Sequence, residues 1–167
     1  ADLKAVQVLD IVRHSGRIAM APLRIDRVAV QVVPVLEARR RAGKAGFLAH
    51  LAGAGLGQRL AGTGAAADAS NPLILDREGK ALSRAIDAAL RDANLGPDDI
   101  DHVQCHGVSL EMYDHCETNA YKRSLGGRAY RIPMSAAKSM TGQAYAAGGM
   151  LGVAAALMAL DESVVSP

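Results

Sequence analysis

The segment 144–160 carries no charged residue, and this narrows the folds open to the chain. A bilayer-spanning helix needs roughly 20 apolar residues, whereas this segment is shorter, is dominated by Ala and Gly, and follows the polar Gln143. A helix that is apolar nearly all round is usually buried inside a protein. The sequence therefore predicts one long buried helix over 139–160 and no membrane span.

Strand-like and helix-like segments alternate ahead of that helix. The run 28–33 is β-branched and predicts a strand within 24–36, and Pro34 indicates that this strand is an edge strand or ends there. Apolar residues recur at helical spacing over 78–93, and the segment 94–97 contains the Gly and Pro typical of a helix stop. The remaining predicted elements are strands at 47–56, 100–105 and 131–135, and a helix at 114–124. This alternation predicts an α/β fold with a mixed sheet, a buried central helix and outer helices.

Three segments give weaker signals. Residues 1–20 are ambiguous, with a faint helical face at Val6, Leu9 and Val12. Residues 37–43 are polar and predict a short helix or turn. Residues 58–71 are rich in Gly, Ala, Ser and Thr without a period, which predicts a loop.

Composition limits the partners and the compartment. A chain of 167 residues suffices for one domain with its own core, and a net charge of +2 favours no strongly charged partner. We interpret the basic run 39–44 as a solvated helix end, because few aromatic side chains are available to stack on bases. We therefore expect no nucleic-acid binding. Two cysteines without a disulfide framework, and no secretory signal, predict a cytoplasmic protein.

Two short motifs stand out in the second half of the chain. The first is the run 95–107, LGPDDIDHVQCHG, which ends in His106 and Gly107. The second is the run 138–142, KSMTG, which begins with Lys138. Asp114 and Glu117 lie between them, three residues apart, so they share one helix face. In this order and spacing the motifs resemble the C-terminal half of β-ketoacyl-acyl-carrier-protein synthases, the ketosynthases of the thiolase-like superfamily.

The resemblance covers roughly 45–167 and is specific from about residue 86. Gly148 and Gly149 match the glycines of the helix that follows the lysine motif. It implies a divergent N-terminal segment at 1–45 and a truncated ketosynthase C-terminal-like domain at 46–167. It also implies the C-terminal half of a thiolase-like fold.

In this family an acyl group is carried on a cysteine, and a malonyl thioester loses CO₂ to give an enolate that attacks it. Two histidines stabilise the enolate oxygen, and a lysine adds positive potential. By resemblance, His106 is one oxyanion donor and Lys138 the charged support, and Gln143 stands where the second histidine is expected. An amide can donate a hydrogen bond but cannot carry a proton. Asp114 and Glu117 either hold Lys138 or face solvent at the start of a helix.

Substrate contacts are expected at Ser109 and Thr141. The family usually has hydroxyl residues on either side of the residue at 109, and here those positions are Val108 and Leu110. No cofactor is implied by the resemblance.

Simpler interpretations remain for individual residues. His106 taken alone could be a core histidine, and Lys138 could extend its stem along the surface. Cys105, His106, His115 and Cys116 form a mirrored set of metal-binding residue types, but neighbouring strand residues face opposite ways and the spacing is not a common zinc pattern. We expect no metal, and we expect Cys105 to pack in the core rather than act as a nucleophile.

Three functions remain open from the sequence. The chain could be an enzyme component of fatty-acid or polyketide synthesis that acts on acyl-carrier-protein thioesters together with a cysteine-bearing half or subunit. It could be a non-catalytic partner resembling a chain-length factor, which Gln143, Val108 and Leu110 favour. It could also be an inactive ketosynthase remnant. A dimer is implied by the resemblance alone.

Overall fold

A computed structural model describes residues 5–13, 27–32, 58–68 and 74–165 of the chain. Five strands form one mixed sheet in the order β3-β1-β2-β4-β5. Its strands are β1 (Ala5–Arg13), β2 (Arg27–Val32), β3 (Gln58–Ala67), β4 (His102–Gln104) and β5 (Met134–Ser135). β1 pairs antiparallel with both β2 and β3, whereas β2–β4 and β4–β5 are parallel. The predicted mixed α/β architecture is therefore confirmed.

Helices connect and cover these strands. They are α1 (Lys80–Ala93), α2 (Glu111–Leu125), α3 (Lys138–Thr141) and α4 (Gly148–Glu162). Short 3₁₀ turns lie at Pro97–Asp99, Gly126–Tyr130 and Tyr145–Ala147. The predicted helices at 78–93 and 114–124 are confirmed within three residues at each end. Asn94 ends α1 in the left-handed region, with φ 54°.

The core lies between α1, α2 and β4. Its buried side chains come from the apolar face of α1, from the strand that follows it and from the inner face of α2, and include Leu82, Ala85, Ile86, Ala89, Leu90, Ile100, Val103, Ala120, Tyr121 and Leu125. The recurring apolar positions that predict α1 are the same positions that fill this core. Small residues at 85, 89 and 120 let the elements approach closely.

β3 corrects the predicted loop at 58–71, as far as that segment is described. Glycine and alanine appear here because α1 packs directly on the strand backbone. A Cβ atom placed on Gly64 would lie 1.9 Å from the carbonyl oxygen of Ala85, and one on Gly62 would lie 2.5 Å from that of Ala89. Low side-chain bulk in this segment is thus a packing requirement and not a loop signal.

Of the two N-terminal predictions, one is wrong and one is confirmed. The faint helical face within 1–20 is wrong, because Ala5–Arg13 is a strand paired on both sides. The strand predicted within 24–36 is confirmed, and its described part ends at Val32, before Pro34. It is not an edge strand, because β2 lies between β1 and β4. The predicted elements at 37–43 and 47–56 lie outside the described residues.

The single helix predicted over 139–160 is also wrong. The chain breaks after Thr141, where Gly142 takes φ 72°, and again at Tyr145, with φ 44°, before α4 starts at Gly148. Nor is α4 buried all round. Val153, Ala156, Ala159 and Leu160 are buried, whereas Met150, Leu151 and Met158 are exposed. The predicted strand at 131–135 shortens to β5.

None of the described helices has both the length and the apolar character that crossing a bilayer requires.

Candidate functional site

Two adjacent parallel strands bring the two sequence motifs together. Gln104 of β4 is in register with Ser135 of β5. His106 follows β4 by two residues, and Lys138 follows β5 by three and begins α3. Because the carboxyl ends of parallel strands meet at one sheet edge, both residues emerge on the same side of the molecule.

A buried polar chain links the same two strands. The Ser135 hydroxyl donates to Gln104 Oε1 at 3.0 Å, and it lies 3.0 Å from His102 Nε2. The single hydrogen of that hydroxyl is donated to Gln104, so the hydroxyl oxygen accepts a hydrogen bond from His102. The ring hydrogen of His102 is therefore on Nε2. Burial lowers the pKa of His102 to about 4, so the ring is neutral near pH 7. In the described part of the chain, His102 Nδ1 and Gln104 Nε2 are buried without hydrogen-bond partners.

His106 and Lys138 are in direct contact. Lys138 Nζ lies 3.0 Å from His106 Nδ1 and donates to the His106 carbonyl oxygen at 2.9 Å. An ammonium group has three hydrogens and no acceptor, so Nδ1 accepts. The ring of Tyr113 lies 6.4 Å from the His106 ring, centroid to centroid. The imidazole of His106 and the ammonium of Lys138 therefore meet, although 32 positions separate them along the chain.

The protonation of His106 follows from these contacts. Burial and, after it, the charge of Lys138 lower the pKa of His106 to about 4, so its ring is neutral near pH 7. With Nδ1 accepting from Lys138, the single ring hydrogen is on Nε2. His106 can thus offer an Nε2–H donor while its other nitrogen is fixed by the lysine.

Glu117 fixes the backbone that carries His106. Its carboxylate accepts the peptide N–H of His106 at 2.6 Å through Oε1 and that of Gly107 at 3.0 Å through Oε2. The Tyr121 hydroxyl donates to Oε1 at 2.6 Å. These bonds differ from the predicted grip on Lys138, with which Glu117 forms no ion pair among the described residues. The physical reason is that the ladder with β5 ends at Cys105, whose N–H donates to the Ser135 carbonyl oxygen, so the peptide N–H groups of His106 and Gly107 need other acceptors.

Glu117 nevertheless acts on Lys138 through its charge. Burial lowers the pKa of Lys138, and the nearby carboxylate of Glu117 partly opposes that shift. Asp114 shares the buried face of α2 with Glu117, as the spacing predicts, but its Oδ1 is buried and has no hydrogen-bond partner in the described residues. The prediction that Asp114 holds Lys138 is not met by any contact there.

Gln143 lies between α3 and α4, near the Lys138 side chain. A Cβ atom placed on Gly148 would lie 3.3 Å from both Gln143 Oε1 and Lys138 Cε, so both side chains border the space above that glycine. Gly148, the first residue of α4, thus leaves room for two polar side chains. The position expected for a second histidine is therefore occupied by an amide next to the lysine.

Ser109 and Thr141, the predicted substrate-contact residues, are both exposed. Ser109 has φ 59°, an uncommon conformation for a residue other than glycine. The Thr141 hydroxyl donates to the Ala137 carbonyl oxygen at 3.1 Å, one turn back. Residues with positive φ follow both His106 and Lys138. They are Gly107 and Ser109 after the histidine, and Gly142 and Tyr145 after the lysine. The substrate contacts of Ser109 and Thr141 remain predictions.

Both thiols are protected. Burial raises the pKa of Cys105 to about 12 and that of Cys116 to about 11. Cys105 packs against the core, as predicted. The part of the chain that the structure describes contains no group of three or more His, Cys, Asp or Glu side chains arranged to hold a metal ion.

Tyr121 was missed from the sequence. It lies four residues after Glu117 on α2, on the same face, and that spacing could have identified it. Its apolar surroundings make it look like a core aromatic, which it also is.

Comparison with known proteins identifies the family. The family model "Beta-ketoacyl synthase, C-terminal domain" matches residues 58–167. A putative polyketide beta-ketoacyl synthase 1 of Streptomyces halstedii is 44% identical over 119 residues, which is 71% of this chain and 28% of that protein. The chain thus spans little more than a quarter of that relative's length.

Two solved structures have a similar fold. One is a type II PKS acyl-carrier protein in complex with its ketosynthase bound to the hexaketide, with TM-score 0.58 and 34% identity over 65% of this chain and 28% of that one. The other is the ishigamide ketosynthase/chain length factor, with TM-score 0.56 and 28% identity over 65% of this chain and 27% of that one. The extent of the family match and the paired His106 and Lys138 lead to one conclusion: this chain belongs to the β-ketoacyl synthase C-terminal domain family.

Proposed function

We propose that this chain is part of a β-ketoacyl synthase of polyketide synthesis and supplies half of the site for decarboxylative condensation. The observation that carries this proposal is the contact between His106 and Lys138, which leaves a neutral imidazole with its hydrogen on Nε2. The proposed ketosynthase domain is 46–167.

The proposed chemistry needs a donor aimed at a developing negative charge. When a malonyl thioester loses CO₂, the electrons of the broken C–C bond form an enolate whose charge gathers on the thioester oxygen. The His106 Nε2–H would donate a hydrogen bond to that oxygen. Removing one donor of this kind typically costs about 3–4 kcal/mol of transition-state stabilisation.

Lys138 would act in two ways. It holds the His106 ring through Nδ1 and its peptide through the carbonyl oxygen. It also places a positive charge about one hydrogen-bond length from the imidazole, which favours a nearby enolate. Glu117 would support this arrangement through the peptide N–H groups of His106 and Gly107.

The reaction also requires a cysteine nucleophile, and the raised pKa values of Cys105 and Cys116 do not suit either thiol to that role. We propose that the nucleophile comes from a cysteine-bearing ketosynthase half or subunit, and that the substrates are acyl-carrier-protein thioesters. The similar solved complex, in which an acyl-carrier protein is bound to its ketosynthase, supports these partners. A dimer with such a subunit is part of the proposal.

A second candidate is a non-catalytic partner that resembles a chain-length factor. It is favoured by Gln143, which cannot carry a proton, and by the similarity to a ketosynthase/chain length factor pair. In that case the chain would contribute an interface and part of an acyl tunnel, and His106 would be dispensable for turnover.

One experiment separates these candidates. The chain is mixed with the candidate cysteine-bearing ketosynthase and malonyl-carrier-protein, and CO₂ release is measured for wild type, His106→Ala and the exposed control His115→Ala. Loss of activity with His106→Ala alone, by about 100-fold, supports the catalytic proposal. Activity that needs the chain but not His106 supports the scaffold, and no association with any ketosynthase contradicts both and leaves the inactive remnant.

A further inference from the structure

Tyr121 has a buried hydroxyl that reaches the candidate site from inside the core. The ring belongs to the main hydrophobic cluster, and the residue is only 6% exposed. Its hydroxyl donates to Glu117 Oε1 at 2.6 Å. An aromatic ring can pack in the core without a hydroxyl, and burying a hydroxyl is costly unless it is hydrogen-bonded. The bond from Tyr121 to Glu117 therefore indicates a role beyond packing.

Both carboxylate oxygens of Glu117 accept hydrogen bonds. Oε1 accepts both the His106 N–H and the Tyr121 hydroxyl, and Oε2 accepts the Gly107 N–H. Of these three donors, two belong to the turn that carries His106 and one to a rigid helix. Tyr121 and Glu117 are one turn apart on α2, so the hydroxyl approaches the carboxylate from a fixed position.

The hydroxyl remains a donor over the whole working range of pH. Burial and the charge of Glu117 raise the pKa of Tyr121 well above 10.

The turn formed by His106 and Gly107 is tightly packed. Gly107 has φ 47°, and a Cβ atom there would lie 2.4 Å from Ala136 Cβ, so the turn has little room to find another position.

We propose that Tyr121 is a positioning residue: its hydroxyl orients Glu117 so that the carboxylate holds the His106–Gly107 turn in register with Lys138. The path runs from Tyr121 to Glu117, from Glu117 to two peptide N–H groups, and from that backbone to the His106 ring. Its effect on turnover rests on the proposed function, whereas its hold on the turn can be measured without any reaction.

The test compares Tyr121→Phe with Tyr130→Phe, which removes the same hydroxyl from an exposed ring. NMR hydrogen exchange reports the His106 and Gly107 peptide N–H groups in the full chain. For Tyr121→Phe we expect exchange at both groups to accelerate about tenfold, because the carboxylate loses one of its donors, while Tyr130→Phe changes neither. In the reconstituted decarboxylation assay, kcat should fall about tenfold for Tyr121→Phe with KM little changed.

A Glu117→Gln background provides the second control. If Tyr121 acts through Glu117, adding Tyr121→Phe to Glu117→Gln should change exchange and kcat by less than twofold, a non-additivity typical of residues in one network. Additive effects would overturn the proposal.

Other outcomes are equally decisive. Unchanged exchange at His106 and Gly107 in Tyr121→Phe overturns the proposal, as does a normal kcat in a pair whose activity is lost with His106→Ala. If no wild-type pair decarboxylates, the proposed function fails and the exchange data alone decide the role of Tyr121. If Tyr121→Phe does not fold, wild-type NMR decides: a slowly exchanging, downfield Tyr121 hydroxyl proton supports the proposal, and its absence overturns it.

Discussion

The Lys138 ammonium grips one residue twice, at Nδ1 of the His106 ring and at the His106 carbonyl oxygen. Because both the ring and the backbone carbonyl of His106 are hydrogen-bonded to the same group, the side-chain torsion angles χ1 and χ2 have little freedom. The ring orientation and the position of its hydrogen are therefore set by the same cation. Glu117, one of the carboxylates that the sequence assigned to the lysine, forms its hydrogen bonds with the backbone of the same turn and affects Lys138 only through its charge.

Gln143→Met should lower decarboxylation by the reconstituted pair, and Gln143→His should raise it, each by roughly tenfold. The side chain at 143 lies near Lys138, so a histidine there would replace the amide by a ring N–H donor that can also carry a proton, whereas a methionine of similar size would leave no N–H donor. CO₂ release under saturating malonyl-carrier-protein measures both. Equal rates for all three proteins would contradict a role for this position in the reaction.

Glu117→Gln should destabilise the fold by roughly 3 kcal/mol. The new amide can be oriented in two ways. In either orientation its NH₂ group faces the peptide N–H of His106 or of Gly107, so a partly buried donor loses its acceptor. Urea unfolding followed by circular dichroism gives the change in free energy. The exposed Glu162→Gln is the matched control, and equal stability of the two variants would show that the carboxylate is not needed.

Gly64→Ala should destabilise by roughly 3 kcal/mol or more, because the added methyl group meets the α1 backbone, which cannot rotate away. Gly127→Ala is the control, since no atom lies within 4 Å of the added carbon there. Thermal unfolding of both variants checks this. A stable Gly64→Ala would contradict the close packing of β3 on α1.

Stability should fall as the pH drops below about 6.5. Both His102 and His106 have a folded-state pKa of about 4, below the ordinary 6.5, so the unfolded chain binds protons more readily. The loss therefore develops between about 6.5 and about 4 and levels off below that. For the fully buried His102 it amounts to roughly 3 kcal/mol.

Urea unfolding between pH 7 and 5 tests this above the ordinary range of carboxylates. His102→Asn should flatten the pH dependence, whatever it does to stability at pH 7, and the exposed His115→Asn should leave it unchanged. A slope that is undiminished in both His102→Asn and His106→Asn would assign the effect to other groups.

Neither cysteine of the folded chain should react readily with a disulfide reagent at pH 8. Raised pKa values near 12 and 11 leave a very small thiolate fraction at Cys105 and Cys116. Absorbance of the released thiolate should show both groups reacting within minutes only after unfolding in urea. Fast reaction of one thiol in the native protein would reopen its assignment as a nucleophile.

Elements with strong periodicity were predictable from the sequence, and elements defined by contacts were not. The face of α1 repeats apolar residues at helical spacing, so its existence follows from the sequence. The strand β3 has almost no side-chain pattern, because what defines it is the approach of α1 to Gly62 and Gly64. The break at Gly142 and Tyr145 is equally hidden, since an uninterrupted apolar run masks two left-handed residues.

The site was predictable where chemistry depends on residue type and order. His106 and Lys138 are recognisable because their motifs recur in a known arrangement, and the structure brings them into contact. The contacts of Glu117 and Tyr121 could not be deduced from the sequence. They depend on which peptide N–H groups have no partner where β4 ends. Gly148 belongs to the same class: only its neighbours Gln143 and Lys138 explain it.

The parallel pairing of β4 with β5 rests on two register partners, Val103 with Met134 and Gln104 with Ser135. A slip of β5 by a single residue would turn Ser135 toward the opposite sheet face and carry Lys138 about 3.3 Å along the strand axis. That displacement exceeds the tolerance of a hydrogen bond, so misalignment of this short ladder would disconnect the cation from its imidazole without altering either side chain.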